Sequence, residues 1–489
     1  MSRRKRKQLS SSIEKRRRGV RRQRNQVALK ALVGWLIPEN GLFPKGVFHG
    51  NVSWTPENLA RQALIWAWQE TRNVTNAFAA ALDVCEDLKV KRAAENYTSF
   101  INALDRYRGV FGSVLRRSFQ TLAEQVAGRF WRNDSWVLLA FDGSRVTTPR
   151  TVSNEKEFCA ANYGKGTTAR YRKKKSKGMR RRNNEKNKPH PQGPQVWITM
   201  MWHMALRLPW SWRLGPSNSS ERGHVMEMLE EEEFPENSLF CGDAGFVGYD
   251  FWKGILDSGG DFLVRVGGNV SLLSEQADVN QLEEGIVLCW PKDKMNSGKK
   301  PLRLRLVNIK IGKTSMWMLT SVLTARKLSR AMIIKYYKMR WGVEVEYRGL
   351  KQTLEKRKLR SRNSQRVYVE LDWSIRAMAF AELVALREQI RDPQERESGS
   401  TRAYDTKRRS LARTMHALRT CMRNLHKYVD AGQGLMIQIS KALVSQYKNT
   451  TDKRARYHPK NPDKKPLGDP AIRKLKCYER AKLKRLLAA

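Results

Sequence analysis

The chain has 489 residues with 94 Lys and Arg against 47 Asp and Glu, a formal net charge of +47. This length allows more than one domain with a sizeable core, and the positive excess indicates a polyanionic partner, most simply nucleic acid. Six scattered cysteines without a Cys-x-x-Cys pair argue against a zinc ribbon or a disulfide scaffold and fit a reducing interior. No apolar run reaches about 18 residues, so no membrane span is predicted, and the basic N-terminus lacks the apolar segment of a signal peptide.

Two segments hold much of the positive charge. Residues 1–30 carry 13 basic residues and 1 acidic residue, and residues 164–188 carry 12 and 1. Without these blocks, which contribute +12 and +11, the remaining chain is still at +24. Residues 1–30 are predicted to be a disordered basic arm, which either contacts nucleic acid or stays a solvated tail. The Gly- and Pro-punctuated basic loop at 154–193 has the same two interpretations, a solvated loop or a contact with the DNA backbone.

Helices are predicted to dominate residues 31–132. Thr55 before Pro56 and Glu57 is a typical helix start, with an N-cap followed by proline in the first turn. Trp66 and Trp68 follow on this helix, and we interpret both as core packing rather than as base-stacking residues. The region is a helical N-terminal domain by prediction, and DNA-end binding is assigned to it only by its position.

Short apolar runs then predict a sheet within residues 133–266. The run 136–141 reads as a buried strand that ends at Asp142, and the run 238–242 as a second strand that ends at Asp243. Between them, residues 195–214 are rich in β-branched and aromatic residues and predict a strand pair. Further elements are a helix capped by Ser219 or Ser220 and running to about Glu233, a helix near 249–258 and a strand at 262–266.

The second half of the chain changes character twice. Residues 267–326 contain four strand-like runs and are predicted to be a β-rich insertion. Helical patterning resumes near Leu328 and runs past Leu383, so residues 327–385 are predicted to complete the core with a further helical part. Residues 386–489 are basic, partly helical around 405–448, and extended in the final Pro-rich stretch at 460–470.

Four residues of one predicted helix share a narrow stripe. At about 100° per residue, Arg340, Glu344 and Lys351 fall near 300°, 340° and 320° relative to Tyr337, a spread of roughly 60°. An apolar face lies beside the stripe. A continuous helix would therefore hold two cations, a phenol and a carboxylate along the edge of the core.

Three acids form a candidate catalytic set. Asp142 and Asp243 each follow a predicted strand, and Glu344 lies on the stripe, so a sheet with a packed helix can bring them together. Oxygen ligands of this kind suit Mg²⁺ or Mn²⁺, and two such ions can assist phosphoryl transfer. Three nearby acids are weaker candidates for this set, because the position of each favours another role. Asp134 lies at the opposite strand end, Glu346 lies off the stripe, and Asp250 is placed as a helix cap.

The spacing Tyr337-x2-Arg340-x3-Glu344-x6-Lys351 resembles the signature of bacterial insertion-sequence transposases of the "insertion sequence four" family. Asp142 in Phe-Asp-Gly and Asp243 in Gly-Asp-Ala-Gly precede it in the expected order, and the resemblance covers about residues 136–385. It implies an α/β fold: a ribonuclease-H-like mixed-sheet core with a β-rich insertion before the catalytic helix, flanked by helical N-terminal and C-terminal regions.

The resemblance also implies roles for individual residues. Asp142, Asp243 and Glu344 match an acidic triad that binds two divalent metal ions. Tyr337, Arg340 and Lys351 match positions that hold the phosphates of the transposon end. Some family members stack a tryptophan of the insertion on a flipped base. Trp317 and Trp290 are candidates for that role, although core packing is the simpler interpretation of both, and Trp341 faces either DNA or the sheet.

The leading hypothesis is a cut-and-paste DNA transposase that cleaves at transposon ends and joins them to target DNA. The resemblance implies double-stranded DNA as transposon end and target, a homodimer in the DNA-bound state, and a cytoplasmic, nucleoid-associated location with no membrane partner. Two alternatives stay open. A structure-directed nuclease would cut without joining, and a non-catalytic DNA-binding protein derived from a transposase would bind without cutting.

Overall fold

A computed structural model describes residues 23–48, 54–71, 73–159, 193–216, 218–275, 283–312, 314–391, 405–444 and 467–488. The chain divides into two compact units. Unit 1 comprises Met1–Ala127, Thr147–Glu157 and Arg348–Val444, and unit 2 comprises Gly128–Val146, Phe158–Tyr347 and Ser445–Ala489. None of the helices in the described ranges has both the length and the hydropathy to cross a bilayer.

Unit 1 is mainly helical. Its helices are α1 (Asn25–Leu36), α2 (Pro56–Trp68), α3 (Val74–Asp87), α4 (Tyr97–Arg106), α5 (Arg108–Ala127), α6 (Val152–Phe158, whose last residue belongs to unit 2), α12 (Ser364–Arg391), α13 (Leu411–Arg423) and α14 (Leu435–Ser440). Two short strands, β1 (Gln23–Arg24) and β11 (Tyr428–Val429), pair antiparallel. Strands β2 to β10 and β12 and helices α7 to α11 and α15 belong to unit 2 and are given below.

Helix α12 is the centre of unit 1. It is 28 residues long and buried on nearly all sides between Val367 and Arg387, including charged residues such as Glu370 and Asp372. Helices α2, α4, α5, α13 and α14 pack against it. Trp68 donates its indole N–H to the backbone carbonyl of Ala377 at 2.9 Å, so the prediction that Trp68 is a core residue is confirmed.

Several predicted boundaries in unit 1 need correction. The arm predicted at 1–30 is too long, because β1 begins at Gln23 and Leu29 of α1 is fully buried; residues 1–22 lie outside the described residues. The start of the loop predicted at 154–193 is helical, in α6, and residues 160–192 lie outside the described residues. The helix start is confirmed, since the Thr55 side chain accepts a hydrogen bond from the Asn58 N–H at 3.2 Å.

Unit 2 contains a ten-stranded sheet. Its strands are β2 (Val137–Thr147, whose last residue belongs to unit 1), β3 (Gln195–His203), β4 (Leu208–Gly215), β5 (Ser238–Gly242), β6 (Asp261–Val266), β7 (Ser271–Ser274), β8 (Glu284–Cys289), β9 (Leu302–Ile311), β10 (Thr314–Thr320) and β12 (Ala471–Lys474). Its helices are α7 (Glu221–Glu231), α8 (Tyr249–Asp257), α9 (Lys292–Asn296), α10 (Arg330–Arg340), α11 (Gly342–Arg348, whose last residue belongs to unit 1) and α15 (Cys477–Ala488).

The strand order identifies the core. Strands β4, β3, β2, β5 and β6 lie side by side in that order. Strands β3 and β4 are antiparallel, whereas β5 runs parallel to both β2 and β6. Counted along the chain within this set, the order is 3-2-1-4-5, the arrangement of a ribonuclease-H-like core. All five residues of β5 are buried, as is typical of a parallel strand covered on both faces. The predicted fold class is therefore confirmed.

The predicted β-rich insertion extends this same sheet. Strands β7 to β10 form antiparallel pairs, and β10 pairs with core strand β6. Strand β12 adds to β7 in parallel at the outer edge. This C-terminal strand and helix α15 were not predicted within 386–489. They join the insertion because Leu475 and Leu483 pack into a buried cluster with Trp290 and Met295.

The catalytic helix is not continuous. Helix α10 ends at Arg340, α11 begins at Gly342, and residues Gly349–Thr353 form a π-helical turn. The stripe predicted from 100° per residue is therefore wrong in its geometry, because neither the break nor the wider π turn keeps that angle. A close contact lies directly after the break: a Cβ on Gly342 would lie 1.9 Å from the ring of Trp202 in β3, so glycine allows this approach.

Candidate active site

Asp142 lies inside a strand, not at its end. Strand β2 continues to Thr147, so the predicted strand end at Asp142 is wrong. The parallel pairing of β2 with β5 covers only Val137 to Ala140, so Asp142 stands just beyond the last paired residue. This position puts its carboxyl group beside the end of β5, where Asp243 follows the strand as predicted.

Asp243 directly follows the last residue of β5. One of its carboxylate oxygens accepts the Gly245 N–H at 2.7 Å, and its backbone carbonyl accepts the Phe246 N–H at 3.2 Å. Asp243 therefore has the turn role that is common for Asp after a strand. That role fixes the side chain in place at the strand end, next to Asp142.

Glu344 is held in position by its neighbour Tyr347 one turn further along α11. The buried Tyr347 hydroxyl donates to the Asp142 carbonyl at 2.7 Å and accepts the Met200 N–H at 3.1 Å. Burial and the nearby Asp142 charge raise the Tyr347 pKa well above its usual value, which keeps the phenol protonated as a donor. The helix that carries the exposed Glu344 is thus tied to β2 and β3.

The three predicted acids interact electrostatically. Burial and the charges of Asp243 and Glu344 raise the pKa of Asp142 to about 6, although the Arg340 guanidinium and the Gly143 N–H act in the opposite direction. The structure therefore brings the acids from β2, the end of β5 and α11 into one neighbourhood. Repulsion of this kind between carboxylates is relieved when a cation binds between them.

Their donor set fits a hard divalent cation. Carboxylate oxygens are the ligands that Mg²⁺ and Mn²⁺ prefer. In the part of the chain that the structure describes, however, no group of three or more His, Cys, Asp or Glu side chains is close enough to hold a metal ion. The acids are coupled through their charges but do not form a closed ligand shell.

Glu221 is a fourth acid at the site, and the sequence analysis missed it. It is the first residue of α7, which Ser220 caps by accepting the Gly223 N–H at 3.3 Å. Burial and the charges of Asp142 and Asp243 raise the Glu221 pKa to about 7, against the opposing charge of Arg145. A Glu directly after an N-cap Ser is a visible signal, but its usual meaning is an acid at a helix start.

Gly143 makes the approach of Glu221 possible. A Cβ at position 143 would lie 2.1 Å from the Glu221 Oε1 atom and 2.5 Å from its Cδ atom. The Asp-Gly pair, read from the sequence as a turn signal, is thus a glycine required inside a strand. Its role is to leave room for a carboxylate beside Asp142.

Arg340 and Tyr337 are buried, which corrects the expectation that they line the edge of the core. Arg340 is 5% exposed and Tyr337 is 6% exposed. The guanidinium carbon of Arg340 lies 5.5 Å from the centre of the Tyr337 ring, a cation–π contact. The Nε atom of Arg340 has no hydrogen-bond partner among the described residues. Lys351 belongs to unit 1, and its DNA-binding role stays a prediction.

The competing acids have structural roles. Asp134 accepts hydrogen bonds from the Tyr336 hydroxyl at 2.7 Å and from Lys335 at 3.2 Å, and the Tyr336 hydrogen bond lowers its pKa. Glu346 is buried in α11. Asp250 is not the predicted cap, since α8 begins after Gly248.

The tryptophan candidates differ in exposure. Trp290 is buried and donates to the Lys299 carbonyl at 2.8 Å, so its predicted core role is confirmed. Trp317 donates to the Asp469 carboxylate at 3.0 Å. Trp341, at the break between α10 and α11, is 59% exposed. The ring of Trp341 is therefore largely outside the core, and the base-stacking role of Trp317 stays a prediction.

Comparison with known proteins relates part of this chain to transposases. Residues 137–380 match a family model described as "Transposase DDE domain". A solved structure of the piggyBac transposase synaptic complex with hairpin DNA is similar over 87% of this chain and 84% of that chain, with 12% sequence identity and a TM-score of 0.35. Comparison with curated proteins finds no match. Through residues 137–380, which contain Asp142, Asp243 and Glu344, this protein belongs to the DDE transposases.

Proposed function

We propose that this protein is a cut-and-paste DNA transposase of the "insertion sequence four" type, acting with two Mg²⁺ or Mn²⁺ ions. The observation that carries the proposal is the electrostatic coupling of Asp142 to Asp243, Glu344 and Arg340. These residues lie in β2, directly after β5, in α10 and in α11, and the sequence motifs contain the same four residues. When bound, the metal ions would activate the attacking oxygen and stabilise the leaving oxygen.

Each acid has a definite task in this proposal. Asp142, within β2, and Asp243, directly after the parallel strand β5, would hold cations where the backbone is rigid. Glu344 would complete the ligand set from α11, whose position depends on the Tyr347 hydrogen bonds. Sites carried by strands and helices hold reacting groups more precisely than loops do.

Arg340 has a positioning role. The buried Arg340 guanidinium acts to lower the pKa of Asp142, against the effect of burial, and its charge offsets the repulsion between the carboxylates. Tyr337 packs against this guanidinium through its ring. We therefore propose that the pair orders the acids, while the exposed Trp341 and the partly buried Lys351 contact the DNA.

We include Glu221 in the cation-binding set, since its carboxyl group lies against Gly143 and is repelled by Asp142 and Asp243. Its place at the first turn of α7 gives it a rigid support. Glu221 would then act as a fourth oxygen donor, or orient a metal-bound group from the side of β2.

Gly143→Ala is expected to weaken Mg²⁺ binding by about tenfold or more, the usual effect of disturbing groups around a metal site. The new Cβ would displace the Glu221 carboxyl group, which it would otherwise meet at 2.1 Å. Titration calorimetry with Mg²⁺ measures this without relying on cleavage. Gly109→Ala, whose Cβ meets nothing within 4 Å, is the control. If both Gly143→Ala and Glu221→Gln bound Mg²⁺ with unchanged affinity, Glu221 would not be a cation ligand.

The proposed activity is tested with purified protein, Mg²⁺ and a labelled duplex that ends in the element's terminal inverted repeat. A transposase should nick at the element end and then join the freed 3′ hydroxyl to a target duplex. A nuclease would give the nick but no joined product, and a non-catalytic DNA-binding protein would give neither. The expected partners are two DNA ends held by a protein dimer, within a nucleoid-associated pool.

A further inference from the structure

A short basic segment of unit 1 is not explained by the acids. The segment Lys356-Arg357-Lys358-Leu359-Arg360-Ser361-Arg362, named here the cationic ribbon, has five basic residues and no acidic residue. It lies between the π-helical turn and α12. A run of basic residues is ordinarily a solvated surface segment. A binding site differs from such a segment in being held in one conformation.

Side chains alternate along the ribbon between the interior and solvent. Leu359 is fully buried and Ser361 is 4% exposed. The basic residues that flank and separate these two are exposed, namely Arg357, Lys358, Arg360 and Arg362. The buried side chains of Leu359 and Ser361 therefore hold the segment with four cationic side chains exposed to solvent.

Backbone hydrogen bonds fix the ribbon to residues of Thr147–Glu157, also in unit 1. The Thr147 N–H donates to the Arg357 carbonyl at 3.2 Å, and the Leu359 N–H donates to the Thr147 carbonyl at 2.8 Å. Further along, the Asn154 side chain donates to the Ser361 carbonyl at 3.1 Å. Such pairing removes the conformational freedom that a solvated basic loop keeps.

A buried carboxylate secures the other side. Glu370 of α12 is fully buried and accepts the Arg360 N–H at 3.0 Å and the Ser361 N–H at 2.9 Å. It also accepts the Lys356 ammonium at 3.0 Å. Lys356 is thereby neutralised inside the protein.

The four outward cations keep their full charge. None of Arg357, Lys358, Arg360 and Arg362 forms an ion pair with an acid in the ranges that the structure describes. These four like charges lie within six residues, so they repel one another, and a polyanion relieves that repulsion.

We propose that the cationic ribbon is a sequence-independent binding site for the phosphate backbone of double-stranded DNA. The proposal rests on the proposed function in taking DNA as the ligand, and it assigns to unit 1 a contact that needs neither metal nor the acids. Because the ribbon is already ordered, binding does not require the ordering of a flexible segment.

The test uses the full-length protein in EDTA with a duplex of arbitrary sequence, titrated across a series of KCl concentrations. The ribbon variant replaces Arg357, Lys358, Arg360 and Arg362 with Gln. Loss of three to four phosphate contacts should lower the salt slope by about 3 units and weaken binding by about 100-fold at moderate salt. The control replaces four other exposed cations of unit 1 with Gln: Lys45, Lys91, Arg117 and Lys441.

The control separates a built site from overall charge, because both variants lose four positive charges. Unchanged binding in the ribbon variant, or equal losses in both variants, would overturn the proposal. Equal thermal midpoints of the two variants establish that the fold is retained. The binding measurement contains no metal, so its result does not depend on whether the protein cleaves DNA. The cleavage assay likewise can succeed when the ribbon does not bind DNA.

Discussion

Glu344→Gln should reduce DNA strand cleavage by more than about 100-fold, a larger effect than is typical for a residue that only supports a metal ligand. The amide keeps the shape of the side chain but removes the charge that a divalent cation needs. Single-turnover cleavage of a labelled transposon end, with Mg²⁺ and with Mn²⁺, measures the loss. Glu230→Gln, also an exposed acid on a helix of unit 2, is the matched control and should cleave normally.

Asp142→Asn should lose cleavage to the same extent while the protein keeps or gains stability without metal. Burial and the charges of Asp243 and Glu344 raise the Asp142 pKa to about 6, so its ionised form is unfavourable in the metal-free fold at neutral pH. A neutral amide relieves that repulsion. Retained cleavage in Glu344→Gln or in Asp142→Asn would exclude the proposed mechanism.

Glu370→Gln should destabilise the protein by about 3 kcal/mol, the lower part of the range for breaking a buried ion pair. The lower value is expected because Lys356 keeps 21% of its side-chain surface exposed, whereas Glu370 is fully buried. Thermal and urea unfolding measure the change. Glu70→Gln breaks an exposed pair with Arg423 in the same unit and should cost at most about 1 kcal/mol. Equal small effects would show that Glu370 does not anchor the ribbon.

The contribution of Glu370 should also depend on pH. Burial acts to raise its pKa, but Lys356 and the hydrogen bonds from Lys356 and Ser361 outweigh burial and hold the pKa below its usual value. A lowered pKa stabilises the fold fully above the unfolded pKa of about 4.3 and loses that effect as pH falls through the folded pKa. The stability difference between the native protein and Glu370→Gln should thus be constant near neutral pH and shrink below about pH 4.

Local signals in the sequence were sufficient for much of the fold. The Thr55 cap, the buried strand at 238–242 and the strand-rich insertion were all predicted, because capping and side-chain periodicity depend on neighbouring residues. The motif spacing likewise selected Asp142, Asp243 and Glu344. The structure brings these three into one electrostatic neighbourhood, although their catalytic role stays a prediction.

Contacts between distant residues decided the rest. The ring of Trp202 leaves no room for a Cβ at position 342. The helix predicted to carry Glu344 is interrupted at Trp341 and widened at Gly349–Thr353, so the angles extrapolated to Lys351 fail. Gly143 leaves room beside Asp142 for the carboxyl group of Glu221, which lies 78 positions further along the chain. Leu475 and Leu483 bring the C-terminal strand to the insertion.

The sequence by itself determined most of the core elements, their order, and which acids and cations belong to the motif, but not strand β12, helix α15 or the break at Trp341. Tertiary structure alone decided that Arg340 is buried beside Asp142, that Glu221 joins the acids and that Glu370 fixes the cationic ribbon. The physical reason is range. Helix and strand patterns arise from interactions between close neighbours in the chain, whereas burial and charge coupling depend on side chains that only folding brings together.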